Sequence, residues 1–309
     1  MKKSHRIILA VLAVLAILIT GTFIAAGKIF TREKADLSGA LTFTASDGIY
    51  AYDLQSRNLS HIKLNGYGEL AHITGYDSAN AEFFCSARRA DGYYILKVSN
   101  GQVAKQWKIE GKPEAVKRAG ETVIIALTNS VQTLDAESGH VKVLLDNVNI
   151  NDIAACENNF VLWGETSRYI GEIKNGNIIL NDEMRHDNSL CMACFINSDE
   201  LLLFDNSINK IYKLNVSNKL ITETDYNMRE NIPIAVNGNK ILCLYESNYT
   251  SQRNFFIYLT DKDKLARTDF DETLKSLPKS EESETMLFVM KQTEHIAKQS
   301  LTSMICIST

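Results

Sequence analysis

Proline and tryptophan are scarce: three and two residues in a chain of 309. No low-complexity tract accompanies them, so disorder is not expected outside a stalk near residues 28–40 and a polar stretch near 278–284. Excess positive charge is also lacking. The formal net charge is −4, and without residues 1–27, which hold three basic and no acidic side chains, 30 cations face 37 anions, or −7. That balance argues against nucleic acid or anionic lipid as the main partner. Catalytic signatures are missing too. There is no G-x-S-x-G, no phosphate-binding loop, no G-x-G-x-x-G between a strand and a helix, and no H-E-x-x-H. The six histidines, His5, His61, His72, His140, His186 and His295, are scattered. One imidazole without convergent ligands makes no metal site, so no metal or cofactor is expected. His72 stands on a candidate inner strand, where it lines a channel or serves as a satisfied structural group.

One long uncharged run is present. Residues 7–26, IILAVLAVLAILITGTFIAA, hold 20 residues without a charge, enough at about 1.5 Å per residue to cross a hydrocarbon core of roughly 30 Å. Lys2, Lys3 and Arg6 precede it without an acid, the flank that stays cytoplasmic. A cleaved secretory signal is the alternative, but Phe23 and Ile24 fit a small-x-small cleavage site poorly. No cysteine occurs before Cys85, which excludes a lipid-modified cysteine there. The expected organisation is a cytoplasmic tail at 1–6, a transmembrane helix at 7–27, a stalk at 28–40 and an ectodomain at 41–309, periplasmic or extracellular. A dozen stalk residues reach no more than about 45 Å, so the ectodomain works close to the membrane.

The ectodomain repeats itself. Seven segments, at 49–62, 94–107, 131–144, 169–180, 211–223, 255–268 and 295–307, each read as an alternating apolar run, a polar turn and a second run, which is a β-hairpin. The first apolar residue after each turn is Leu59, Val103, Val141, Ile178, Leu220, Leu265 and Met304, a period near 40, the length of a four-stranded propeller blade. A further strand precedes every hairpin, as in FFCSA (83–87), VIIAL (123–127), FVLWG (160–164) and MLFVM (286–290). An earlier one precedes most, as in ELAHITG (69–75), EAVKRA (114–119), DIAACE (152–157) and LCMACFI (190–196). In repeats one and seven the stalk and LKSLPKSEES (274–283) are expected to supply the innermost strand. The fold class is therefore all-β: a seven-bladed β-propeller, with six or eight blades as alternatives and an open solenoid as a third, behind one N-terminal transmembrane helix.

The units TLDAESGHV (133–141) and AYDLQSRNL (51–59) resemble the hairpin of quinoprotein-like and YVTN-type propeller repeats, and the propellers of periplasmic translocation and outer-membrane assembly factors are similar. The resemblance covers 41–309 at fold level. Quinoprotein dehydrogenases dock their blades with regularly placed tryptophans, whereas this chain has Trp107 and Trp163 only and no adjacent cysteine pair. A quinone cofactor is not implied.

Cys191 and Cys194 form a C-x-x-C, but an extended strand sets residues three apart on opposite faces, so core filling is the expectation for them as for Cys85, Cys156, Cys243 and Cys306. Asp53, Asp135 and Glu172 recur near turns and read as turn formers. The functional hint lies in the loops. Repeats two and six carry long ones, ARRADG (87–92) and ESNYTSQRN (246–254), and EMRHDNS (183–189) joins them if it opens on the same face. Arg88, Arg89, Arg185, His186, Tyr249 and Arg253 are the candidate interaction residues, because Arg and Tyr are what interfaces favour. The bland alternative is that surface loops accept extra residues cheaply. Two functions stay open: a non-enzymatic module binding a membrane or cell-envelope protein or a small ligand, and an extracytoplasmic carbohydrate-active hydrolase or lyase with its site at the channel.

Overall fold

Apolar runs of five residues bounded by polar turns become strands in a computed structural model of the chain. The structure describes residues 40–45, 48–53, 56–77, 82–164, 167–174, 176–185, 190–205, 210–226, 232–237, 240–246, 253–260, 263–267 and 305–308. All of them belong to one unit, Ser38–Thr309. The expected membrane helix and stalk lie outside the described residues, among which no helix is long and apolar enough to cross a membrane. Every regular element described is a strand.

The described residues form six four-stranded antiparallel sheets. The first holds β1 (Ala40–Ala45), β2 (Gly48–Asp53) and β3 (Leu59–Ile62), and the second β4 (Gly68–Asp77), β5 (Glu82–Arg89), β6 (Gly92–Ser99) and β7 (Gln102–Ile109). The third holds β8 (Ala115–Ala119), β9 (Thr122–Leu127), β10 (Ser130–Asp135) and β11 (Val141–Asp146). The fourth holds β12 (Ile150–Cys156), β13 (Asn159–Gly164), β14 (Ser167–Lys174) and β15 (Asn177–Arg185). The fifth holds β16 (Leu190–Phe195), β17 (Glu200–Asp205), β18 (Lys210–Asn215) and β19 (Ile221–Glu223), and the sixth β20 (Ile232–Asn237), β21 (Lys240–Glu246), β22 (Arg253–Leu259) and β23 (Lys264–Arg267). The first sheet is completed by β24 (Ile305–Ser308), which pairs with β1, Ala40 opposite Ser308 and Phe43 opposite Ile305.

That last pairing corrects one expectation. The innermost strand of the first sheet is β24, from the far end of the chain, and not the stalk at 28–40. The same residues are therefore not the outer half of a hairpin at 295–307. Residues 274–283 and 286–290, read as the rest of a seventh repeat, lie outside the described residues. Tying both ends of the unit into one sheet covers the edge that β1 would otherwise expose. The innermost strands β24, β4, β8, β12, β16 and β20 touch in that cyclic order, and β20 touches β24 in turn.

The second strand of each sheet explains the core. Phe83, Cys85 and Ala87 pack with Ile49 and Ile73 toward the first sheet, while Phe84, between them in sequence, packs with Val116 and Val123 of the third. Ile124 and Ala126 turn toward Phe160 and Leu162, and Val161 and Trp163 toward Leu201 and Leu203. Leu202 meets Ile241, Cys243 and Tyr258. Strand alternation sends neighbouring residues to opposite faces, and both faces are covered by other sheets, so these strands are apolar throughout. Each fully buried Leu, Ile or Phe contributes about 1.5–3 kcal/mol. Gly171 exists for the same packing: a Cβ there would stand 2.1 Å from a Phe160 ring carbon. Between sheets, the Arg118 amide donates to Thr74 Oγ1 at 3.0 Å, and the Gly120 amide donates to the Glu157 carbonyl.

The turns use the acids that the repeat pattern singled out. Asp135 Oδ1 accepts from the Glu137 and Ser138 amides and from Ser138 Oγ, and these bonds from Ser138 hold its carboxyl below the usual range. Asp53 Oδ1 accepts from the Ser56 amide. Glu172 instead sits within β14 opposite Asn159.

A bulge overturns the argument about Cys191 and Cys194. Cys191 pairs with Phe204, Ala193 with Leu203 and Cys194 with Leu202. Since Phe204 and Leu202 are two apart, the two cysteine positions share a face, because the extra residue of the bulge resets the alternation. Cys85, Cys156 and Cys243 are not in disulfides; Cys85 and Cys243 are buried as expected, whereas Cys156 is only half-buried.

Candidate functional site

Antiparallel order fixes which loops share a rim. Among the described residues, the β5–β6 and β9–β10 turns open on one end of the sheets, together with the sheet-to-sheet connections at 63–67, 110–114 and 147–149. The ends of β5, β15 and β21 and the start of β22, which bound the candidate segments, stand at that same end, as their strand positions imply. Arg88 and Arg89 end β5, Arg185 ends β15 and Arg253 begins β22. His186 and Tyr249 lie outside the described residues.

Arg88 and Arg89 are built into a cluster. Both are exposed. Arg88 Nη1 donates to Glu69 Oε1, and its guanidinium lies 5.7 Å from the Tyr93 ring centroid, with Tyr93 its cross-strand partner. Glu69 reaches it because β4 is kinked: register shifts follow Gly68, Ala71 and Thr74, and Glu69 and His72 take φ of 45° and 53°. Such values are uncommon for residues with a Cβ, and bulges of this kind re-aim side chains. Arg89 lies 5.5 Å from the Tyr67 ring centroid and 5.7 Å from that of Tyr94, and its Nη1 donates to Gln106 Oε1 at 3.4 Å. The Tyr67 hydroxyl also donates to Gln106 Oε1. Tyr94 donates to Asp91, which pairs with Lys108 at 3.4 Å. The hydroxyl of Tyr94 and the charge of Lys108 hold Asp91 below the ordinary carboxylate range, and Tyr94 is raised in return. Gly92 makes the turn possible, with φ of 139° and Lys108 Cε 3.1 Å from where a Cβ would stand. The patch can present two guanidinium groups and the half-buried rings of Tyr67 and Tyr93 to a partner, with the buried Tyr94 ring beneath Arg89. Sequence reading missed Tyr67, Tyr93, Tyr94 and Gln106. Tyr93 and Tyr94 follow the ARRADG loop directly, but Tyr67 belongs to the connection from the first sheet, and only the pairing of Gly68 with Arg88 brings it near.

A second polar group lies on the inner strands. His72, on β4, is buried. Its Nε2 faces the Pro113 carbonyl at 3.2 Å, whereas Nδ1 is buried without a partner. Burial, with the nearby charges of Lys117 and Lys112, pushes its pKa down to about 4, against the bond to Pro113. Asp152, on β12, is likewise buried and accepts from the Ile153 amide at 2.8 Å. Burial raises its carboxyl to about 6 against the pull of Lys117. His72 is thus a buried histidine satisfied at one nitrogen only, on the first of three successive inner strands that carry His72, Lys117 and Asp152. Among the described residues no three His, Cys, Asp or Glu side chains come together as a metal site.

Comparison with solved structures returns the same architecture. The chain superposes on Hsv2 of Kluyveromyces lactis, a β-propeller, with a TM-score of 0.52 at 9% identity, covering 72% of each chain. It superposes on a protein of unknown function from Bacteroides caccae with a TM-score of 0.50 at 9% identity, covering 75% of this chain and 95% of that one. The likeness is one of fold alone. No protein-family model matches the sequence, and no curated protein matches it. The β-propeller resemblance read from the repeats holds at this level: the described residues are all-β and propeller-like.

Proposed function

We propose that the chain is a membrane-tethered, extracytoplasmic β-propeller of six blades whose rim at Arg88 and Arg89 binds a protein of the membrane or cell envelope. The six-blade reading draws on the contact of β20 with β24, which leaves no gap for a further sheet between them. The tether at 7–27, the stalk at 28–40 and the outward orientation draw on the uncharged run and its basic flank.

The observation that carries the binding role is the setting of Arg89 near the rings of Tyr67 and Tyr94. Cation–π stacking holds a guanidinium flat at low cost in entropy, and pre-ordered Arg and Tyr side chains make interface hot spots. The intramolecular acids Glu69 and Asp91 occupy positions that acidic side chains of a partner would take over. Exchanging one carboxylate for another keeps the cations paired, so binding is expected to be salt-sensitive. The alternative, a hydrolase or lyase, draws on the inner-strand trio. Asp152 supplies one carboxyl group there, and a glycosidase needs two converging within about 5–10 Å.

The test is charge reversal of both arginines, Arg88→Glu with Arg89→Glu, in the full-length chain expressed in its own membrane. Partner recovery is expected to fall at least tenfold while the unfolding midpoint drops only slightly, because both side chains are exposed and their ion pair and ring contacts lie at the surface. Undiminished recovery would remove the rim from the account.

A further inference from the structure

Arg168 is the least comfortable side chain in the described residues. It stands near the rim end of β14, opposite Trp163 of β13, on the face of the fourth sheet that packs on the fifth with Val161, Ile170 and Leu203. It is 1% exposed. Its guanidinium lies 3.8 Å from the Trp163 ring centroid, and its Nε and Nη2 are buried with no hydrogen-bond partner.

Those two nitrogens are not an arbitrary pair. Their N–H bonds run side by side along one edge of the guanidinium, the fork that grips a carboxylate through two parallel hydrogen bonds. Burying a guanidinium with that edge empty costs several kcal/mol. A residue kept only for packing would be replaced at a gain by an apolar side chain of similar length. Stacking on Trp163 fixes the plane of the group, so the orientation of the fork is set before anything binds.

We propose that the rim end of the fourth and fifth sheets is a carboxylate-binding site, with the Nε–Nη2 edge of Arg168 as its receptor and Trp163 as its platform. The proposal is independent of the Arg88–Arg89 surface. The ligand group is a carboxylate carried either by a small organic acid or by the C-terminus of a peptide. In both cases it supplies the two acceptors that the fork lacks.

The experiment uses the full-length chain with Trp107→Phe, so that Trp163 is the one indole left. Succinate and a short peptide with a free C-terminus are titrated at constant ionic strength, with chloride and the C-terminal amide of the same peptide as controls. A saturable change in Trp163 emission is expected with a carboxylate and not with its control, and the probe that gives it tells acid from peptide. The change should weaken at least tenfold in both Arg168→Met and Arg168→Lys, the second of which keeps the charge and loses the fork. The urea midpoint of the free Arg168→Met chain should be unchanged or raised. No saturable response to either carboxylate, an undiminished response in Arg168→Lys, or a lowered midpoint in Arg168→Met would each overturn the proposal, the last by showing Arg168 to be a structural group.

Discussion

Acidification should expose two opposed titrations on the inner strands. Asp152 holds its proton to about pH 6 in the folded chain against an ordinary value of 3.8. Between those values the folded state binds more protons than the unfolded one, so the contribution of Asp152 to stability falls as pH rises from about 4 to about 6. Above that window its burial costs on the order of 3 kcal/mol, at about 1.36 kcal/mol for each tenfold change in proton affinity. His72 runs the other way. Its value is about 4 in the folded chain and 6.5 ordinarily, so the unfolded state binds more protons in between. Its contribution is fully present above about 6.5 and is lost as pH falls toward 4, again on the order of 3 kcal/mol. In the unaltered chain the two slopes nearly cancel from about pH 4 to about pH 6. Asp152→Asn keeps the acceptor for the Ile153 amide and removes the titration. At pH 7 this variant should be more stable by up to about 3 kcal/mol, and that advantage should fade steadily as the pH drops to 4.5. His72→Gln should show the reverse, gaining relative stability on acidification. The assay is urea unfolding followed by tryptophan emission at half-unit steps from pH 4.5 to 7.5, each variant read as its difference from the parent so that surface carboxylates drop out. Differences that stay flat across this range would refute the assigned burial of both groups.

Gly171→Ala drives a methyl into the Phe160 ring and should cost about 1–3 kcal/mol by the usual scale of overpacking, measured as a drop in thermal midpoint. Asp135→Ala removes the acceptor for three donors in the β10–β11 turn and should lower the midpoint of the same urea titration. Cys85 and Cys243, whose thiols burial pushes up to about 12, should resist a thiol reagent in the native chain and react only in denaturant. Labelling followed by peptide mapping checks this residue by residue.

The repeat was legible because a strand buried on both faces has to be apolar for five residues running, and the polar turn that follows it marks the period. The register at the seam was not, since nothing in ICIS says that Ile305–Ser308 pairs with Ala40–Ala45 rather than with its own neighbours. The shared face of Cys191 and Cys194 was hidden for a related reason: one inserted residue flips the alternation, and bulges leave no compositional mark. At the rim, Arg88 and Arg89 stood out by residue type and loop length. Tyr67 did not, because its approach to Arg89 is made by the kinked entry of β4. Arg168 carries no mark in the sequence, and only the packing of the fifth sheet reveals it as buried.

The measurement that bears most directly on the binding role is a photo-crosslinking scan of the two rims in cells. A photoreactive residue is placed singly at Ala90, Lys112 and Arg253 on one rim, and at Asn100, Ser138 and Asn218 in turns of the other. The account predicts a discrete adduct of one mass from the first set, abolished by high salt before irradiation, and none from the second. Equal adducts from both rims, or none from the first, would contradict it.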